Sequence, residues 1–239
     1  MKAKILGFRI TGEFAHFRNP FVTSYLSTYP FPPKPTVLGM IGAMIGYSSV
    51  DVLKKLQDNV RIAIKLNKPP KKALDYVRLW KFNNDKSIVP SPTKVELLVR
   101  PDYTIFVHSQ NDKFLKELQN RLETGDFIYP ISLGKNEFIA FVKDVFQFES
   151  KEVGVINTNT VDSILPVIIG DQKIAFPDLT TSNWATVGLV PLELELVSET
   201  GTRRVKKTGT FAYSLNTRPL KLQKEISALK VGSWRIVMF

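Results

Sequence analysis

The chain carries few residues able to do covalent chemistry, and they narrow the choice. It has no cysteine and only two histidines, His16 and His108. That excludes disulfides, iron–sulfur clusters, a thiol nucleophile and cysteine-based zinc sites, so no metal or cofactor is expected. There is no Gly-x-Ser-x-Gly elbow and no Walker phosphate loop, and Gly39, Gly42 and Gly46 lack the dinucleotide-binding spacing. What remains is metal-independent RNA cleavage, which needs only a His, Tyr or Lys as acid or base beside a 2′-hydroxyl. Tyr47, His108 and His16 are the candidates. His108 ends a strand on the side of Thr104 and Phe106, which suits a structural role. His16 sits in a polar-aromatic loop between Phe14 and Arg18, where a binding contact or packing fits better than catalysis.

Binding chemistry is better supplied. The net charge of +11 is concentrated: residues 65–86 hold seven Lys/Arg against two acids, residues 201–224 hold seven and no acid, and the remainder is 19 basic against 20 acidic. Concentrated positive charge is the footprint of a polyanion partner, the alternative being two solvated basic loops. In the first block Tyr76, Arg78, Trp80 and Phe82 alternate onto one strand face, with Lys81 between them and KPPKK just before. Such a face stacks unpaired bases and holds phosphates, or else packs a hairpin on a partner subunit. In the second block the run RRVKK (Arg203, Arg204, Val205, Lys206, Lys207) lies between Gly201 and Gly209 and reads as a flexible basic loop, phosphate-binding or simply solvated. Arg18 and Lys34 bracket a proline-rich segment and could clamp a nucleic-acid backbone between them.

The elements that must position these groups follow from periodicity. Residues 2–11 alternate as a strand with one buried and one partly polar face. Prolines 30, 32, 33 and 35 exclude regular structure until Pro35 opens a helix in which Leu38, Ile41 and Ile45 keep helical spacing. Its small residues Gly39, Gly42, Ala43 and Gly46 lower helix propensity, so close packing against a sheet or another backbone is expected on that side. Asp51–Gln57 reads as a short amphipathic helix, Val60–Leu66 and Tyr103–Ser109 as strands, and Glu137–Phe148 as another. Asp112–Gly125 is the clearest helix, with Asp112 as cap and Gly125 as stop. Residues 67–98 read as a β-hairpin excursion turning at Asn83, Asn84 and Asp85.

The order is βαββαβ, predicting an α+β chain with a ferredoxin-like (RRM-like) domain over residues 1–149 and a protruding hairpin thumb at 67–98. Residues 150–239 then read as a smaller β-rich region. Met1–Ile10 has no signal-like apolar run, and Val37–Ile45 is too short to span a bilayer, so a cytoplasmic protein without a membrane partner is expected.

Three segments resemble the CRISPR-associated Cas five family of the RAMP group: GEFAHFRNPF (Gly12–Phe21), YPFPPKPTVLGMIGAMIG (Tyr29–Gly46) and YPISLGKNEFIA (Tyr129–Ala140). PLELELVSETGTRRVKKTGTFAYS adds a lesser similarity, and the RNP, YP and PP elements are similar to the type I-B branch. The resemblance implies a non-catalytic subunit of a Cascade surveillance complex in antiviral defence. Such a subunit binds the 5′ handle of the CRISPR RNA, caps the filament of backbone subunits and contacts the large subunit. It implies that Arg18 and Lys34 face the handle and that Lys135 and Asn136 occupy a Leu-Gly-basic-Asn turn. One branch of the family, from type I-C systems, is an endoribonuclease using Tyr, Lys and His. Here Tyr47 and His108 match, but Val107 stands where that branch carries its lysine.

Overall fold

The computed structural model describes residues 4–82, 87–181, 183–198 and 202–239. In chain order the first elements are β1 (Ile5–Thr11), β2 (Phe14–Ala15), α1 (Lys34–Ile45), α2 (Ser49–Asp51), a π-helical turn (Val52–Leu56), β3 (Val60–Leu66), β4 (Lys72–Phe82), β5 (Ile88–Val99), β6 (Asp102–Ser109), α3 (Asp112–Thr124) and β7 (Phe141–Phe148). Strands β3-β6-β1-β7 form an antiparallel sheet in that order. The chain visits it as strand, helix, strand, hairpin, strand, helix, strand.

Leu6, Phe8 and Ile10 of β1 join the core that also holds the buried residues of α1 and α3. The opposite face of β1 is covered at Ile5, while Arg9, paired with Asp102 and Asp144, keeps it partly polar as expected. Ile5 packs with Ala63, Phe106 and Phe148 beneath Val231 and Ile236, and Trp234 meets the rings of Phe106, Phe146 and Phe148 edge-on at 5.4–5.9 Å.

The residues covering that face belong to the second half: β8 (Val153–Val161), β9 (Leu165–Ile169), β10 (Gln172–Lys173), β11 (Trp184–Leu196), β12 (Arg203–Ser214), β13 (Leu220–Val231) and β14 (Trp234–Ile236). They make two sheets, β10-β9-β12-β11 and β14-β13-β8. The main core runs across residue 150, since Ile164, Val190, Leu192 and Phe211 belong to it. The proline segment is buried at this junction rather than being an open linker. Phe31 meets Phe211 and Tyr213 edge-on at 6.0 and 5.9 Å, and the Tyr29 hydroxyl donates to the Leu189 carbonyl at 2.6 Å.

Three local expectations are corrected. The cap of α3 is Asn111, whose Oδ1 accepts the N–H groups of Lys113 and Phe114 at 3.1 Å each; Asp112 is the first helical residue. The Asp51–Gln57 helix is mostly the π-helical turn. The strand expected from Glu137 begins at Phe141, because Leu133 N–H donates to Phe138 O and closes a turn there. The turn expected at residues 83–85 lies outside the described residues.

Candidate nucleic-acid interface

The segment after β1 is fastened to the root of the β4–β5 hairpin. Phe14 pairs with Val99 and Ala15 with Leu98, while Leu26 bridges to Val95. Glu96 holds the two strands of this loop. Its Oε2 accepts from Ser27 Oγ (2.9 Å), the Thr28 N–H (3.1 Å) and Lys72 Nζ (3.0 Å). Burial pushes this carboxyl up, but the donors outweigh burial and hold it below its ordinary value.

His16 lies under the same loop. It is buried, with Nδ1 2.8 Å from the Glu96 carbonyl oxygen. A carbonyl only accepts, so Nδ1 carries the proton and Nε2 is an acceptor, with no partner among the described residues. Burial, with help from the Lys135 and Arg18 charges, lowers its pKa despite the carbonyl bond, so the ring is neutral at pH 7.

Gly134 then brings a second loop alongside. Its φ is +98°, and a Cβ there would lie 2.0 Å from the His16 carbonyl oxygen. Only glycine permits both the backbone angle and the approach. The His16 N–H donates to Leu133 O at 3.0 Å, which sets Lys135 and Asn136 beside Arg18.

Between these loops, the start of α1 and the β11–β12 pair lies an open groove of about 860 Å³. Arg18, Asn136, Arg203 and Arg204 line it, together with Pro33 and Thr36 at the start of α1. That helix has no acidic residue in its first turn, so its positive end is unopposed from within. A recess of about 400 Å³ continues under the groove past His16, Arg18 and Lys135. Arg18 and Arg203 are exposed and form no ion pair among the described residues.

Other sequence-selected residues lie elsewhere. Lys34 does not line the groove; it is half-buried in the field of Glu193, Asp58, Arg61 and Lys207, and burial pulls its pKa down. RRVKK is not a flexible loop. It opens β12, where Glu195 stands opposite Arg204 and Glu193 opposite Lys207. Arg204 is bonded to Glu195, and Lys206 and Lys207 each lie 3.7 Å from Glu193. Pairing across the ladder with acids just upstream explains the strand. Of the run's four cations, only Arg203 is left without an acidic partner among the described residues.

Arg78 and Trp80 project from the hairpin, on the face shared with Leu74 and Tyr76 and cross-strand to Pro92 and Pro90. Tyr76 and Trp80 are 70% and 68% exposed. Lys81 is in β4, and its side chain, like that of Phe82, lies outside the described residues.

Tyr47 and His108 come together in a separate polar cleft of about 770 Å³, with Lys54, Lys55 and Arg61 on its walls. His108 Nδ1 lies 3.0 Å from the Lys4 carbonyl oxygen and donates its proton there, and Lys55 Nζ, paired with Asp51, sits 4.8 Å over the Tyr47 ring. Sequence reasoning missed these lysines and Arg61. The signal was the exposed lysine pair inside DVLKKLQ, which was read only as the polar side of a helix.

No curated protein matches the sequence. Among solved structures, a CRISPR protein from Archaeoglobus fulgidus superposes with a TM-score of 0.62 at 13% identity, covering 98% of each chain. A chain of a CRISPR RNA-guided surveillance complex superposes with a TM-score of 0.52 at 12% identity, covering 93% of this chain and 91% of that one. A crystal structure of a Cas protein is matched over 58% of its own length and 56% of this chain, at 15% identity and a TM-score of 0.37. The family described as CRISPR-associated protein (Cas_Cas5) matches residues 5–204. With that match spanning most of its length, the chain belongs to the CRISPR-associated protein (Cas_Cas5) family.

Proposed function

We propose that this chain is a non-catalytic RNA-binding subunit of a Cascade-type surveillance complex that holds the 5′ handle of the CRISPR RNA in antiviral defence. In this reading it works in the cytoplasm beside the backbone and large subunits. The βαββαβ order with sheet order β3-β6-β1-β7 supports a ferredoxin-like, RRM-like first domain. The observation that carries the reading is the groove in which two arginines with no ion pair among the described residues, Arg18 and Arg203, meet Asn136 and the open end of α1. Guanidinium groups and helix N-termini are natural phosphate ligands. The exposed Tyr76–Arg78–Trp80 face of the hairpin supplies stacking and charge at a second place.

Titrating the purified chain with repeat-derived single-stranded RNA over a salt series tests this. Each neutralised phosphate contributes about −0.7 to the slope of log K against log salt, so a steep negative slope is expected. A slope near zero would show that the groove does not hold RNA through its charges.

A second reading, a metal-independent endoribonuclease, draws on the cleft that unites Tyr47 and His108 with Lys54 and Lys55. Labelled repeat RNA incubated with the chain in EDTA is expected to stay intact. Specific cleavage that disappears in Tyr47→Phe or His108→Ala would establish the second reading instead.

A further inference from the structure

Between the arginine groove and the Tyr47–His108 cleft lies a third cavity, of about 250 Å³ and mainly apolar lining. It shares Gly39, Ala43, Leu194 and Arg203 with the groove, and Tyr47 with the cleft. The three therefore follow one another, from the start of α1 past its C-terminal end to the π-helical turn and β3. Cations stand at both ends, Arg18 and Arg203 on one side and Lys54 and Arg61 on the other, where Lys55 is held by Asp51 at 2.8 Å and Asp58 also lines the cleft. The middle holds Leu38, Val52 and Leu53, with the rings of Tyr47 and Tyr129 on its boundary.

Two features show what this middle cavity accepts. Its one uncharged polar side chain besides Ser49 and the tyrosines is Gln57, and Gln57 is already used. Its Nε2 donates to Leu194 O at 3.0 Å, and its Oε1 accepts the Leu194 N–H at 2.8 Å. The lining thus offers shape and aromatic surface with little hydrogen-bond readout. Moreover, Gly39 is exposed, and a Cβ added there would meet nothing within 4 Å, whereas one at Gly42 would lie 2.3 Å from Val52. Gly42 is small because the π-helical turn packs on it; Gly39 is small with no protein neighbour requiring it.

A chain of anionic groups carrying flat apolar rings matches an apolar cavity flanked by cations. Several water volumes (~30 Å³ each) fit the cavity, yet it is smaller than pockets for drug-sized ligands (~300–1,000 Å³), which suits a single ring system. We propose that the cavity between α1, the π-helical turn and β11 is a base-binding pocket, in which one unpaired nucleobase of a single-stranded RNA inserts beside Tyr47 and Tyr129 while its flanking phosphates lie toward Arg203 and Lys54. The pocket demands a base but does not identify it, since stacking is sequence-tolerant. The inference rests on the RNA-binding reading above and adds to it a path past α1.

The test combines RNA chemistry with a filling substitution. Repeat-derived RNAs carrying a single abasic nucleotide at successive positions are titrated against the wild-type chain and against Gly39→Leu. One abasic position is expected to cost about tenfold in wild-type affinity, the size of one lost stacking contact, whereas exchanging the base at that position changes affinity less than about threefold. Gly39→Leu is expected to bind intact RNA about tenfold more weakly and to lose all sensitivity to that abasic position, with a thermal midpoint no lower than wild type. If wild type binds RNA but no abasic position matters, the pocket is wrong while RNA binding stands. That outcome is read from the wild-type chain alone, so it does not depend on the variant folding. If wild type binds no RNA at any salt concentration, both readings fall together.

Discussion

The Arg18→Ala, Arg203→Ala double variant is expected to bind repeat-derived RNA about a hundredfold more weakly than wild type, a loss of about 2.7 kcal/mol. A hydrogen bond to a charged group contributes roughly 1.5–3 kcal/mol, and two exposed arginines on phosphates, screened by solvent, deliver slightly less than the bottom of that range each. Neither residue has an ion-pair partner among the described residues to be orphaned. Both are exposed, so unfolding free energy should change by less than about 0.5 kcal/mol. Removing two phosphate contacts should also make the salt slope shallower by about 1.4. Lys206→Ala and Lys207→Ala, whose charges face Glu193, should change affinity far less. Fluorescence anisotropy at two salt concentrations reads all of these. An unchanged affinity in the double variant would move the RNA off this groove.

Asp102→Ala is expected to lower the unfolding free energy by about 3 kcal/mol. Asp102 is 1% exposed and receives a two-pronged bond from Arg9, Nε to Oδ1 at 2.9 Å and Nη2 to Oδ2 at 2.7 Å. Asn67 Nδ2 donates to Oδ1 at 2.9 Å, and Lys68 Nζ lies 3.9 Å away. Removing one member of a buried pair costs roughly 3–5 kcal/mol, and the lower end applies because Arg9 is part-exposed and keeps Asp144 at 3.3 Å. The joint matters beyond its own residues, since it ties the end of β3 to the start of β6 where the hairpin departs.

Burial pushes the Asp102 carboxyl up, but Arg9, Asn67 and Lys68 together hold it below its ordinary value. A depressed carboxylate stabilises the fold above its unfolded pKa, about 3.9, and loses that contribution as pH falls through the lower folded value. Wild-type stability should therefore decline below about pH 4, and the Asp102→Ala curve should decline less. Urea unfolding at pH 7 and in mild acid measures both effects. A loss under about 1 kcal/mol at pH 7 would show that the pair barely repays its desolvation.

Much of the first half was legible because its signals are local. Strand β3 alternates, β6 is a short β-branched and aromatic run, α3 has a full apolar stripe ending in a left-handed glycine, and the hairpin appears as two alternating runs. The second half was less so. β8 and β13 were not singled out, and RRVKK was read as a loop because Gly201 and Gly209 flank it. The acids that hold it in a strand, Glu193 and Glu195, lie just upstream and meet it only across the ladder.

By itself, then, the sequence determined the family, the strand–helix order and the presence of excess positive charge, since each is written in contiguous residues or their spacing. Tertiary structure decided which cations stay free. It left Arg18 and Arg203 without an ion pair among the described residues, set Arg204 against Glu195 and both Lys206 and Lys207 against the one carboxylate of Glu193, and drew Lys34 out of the groove into partial burial. It also joined Arg18 to Asn136 through the one residue, Gly134, small enough to let two distant loops touch. The physical reason is the same in each case. A charge or a cavity acts through what lies within a few ångströms, and those neighbours come from parts of the chain that folding alone brings together.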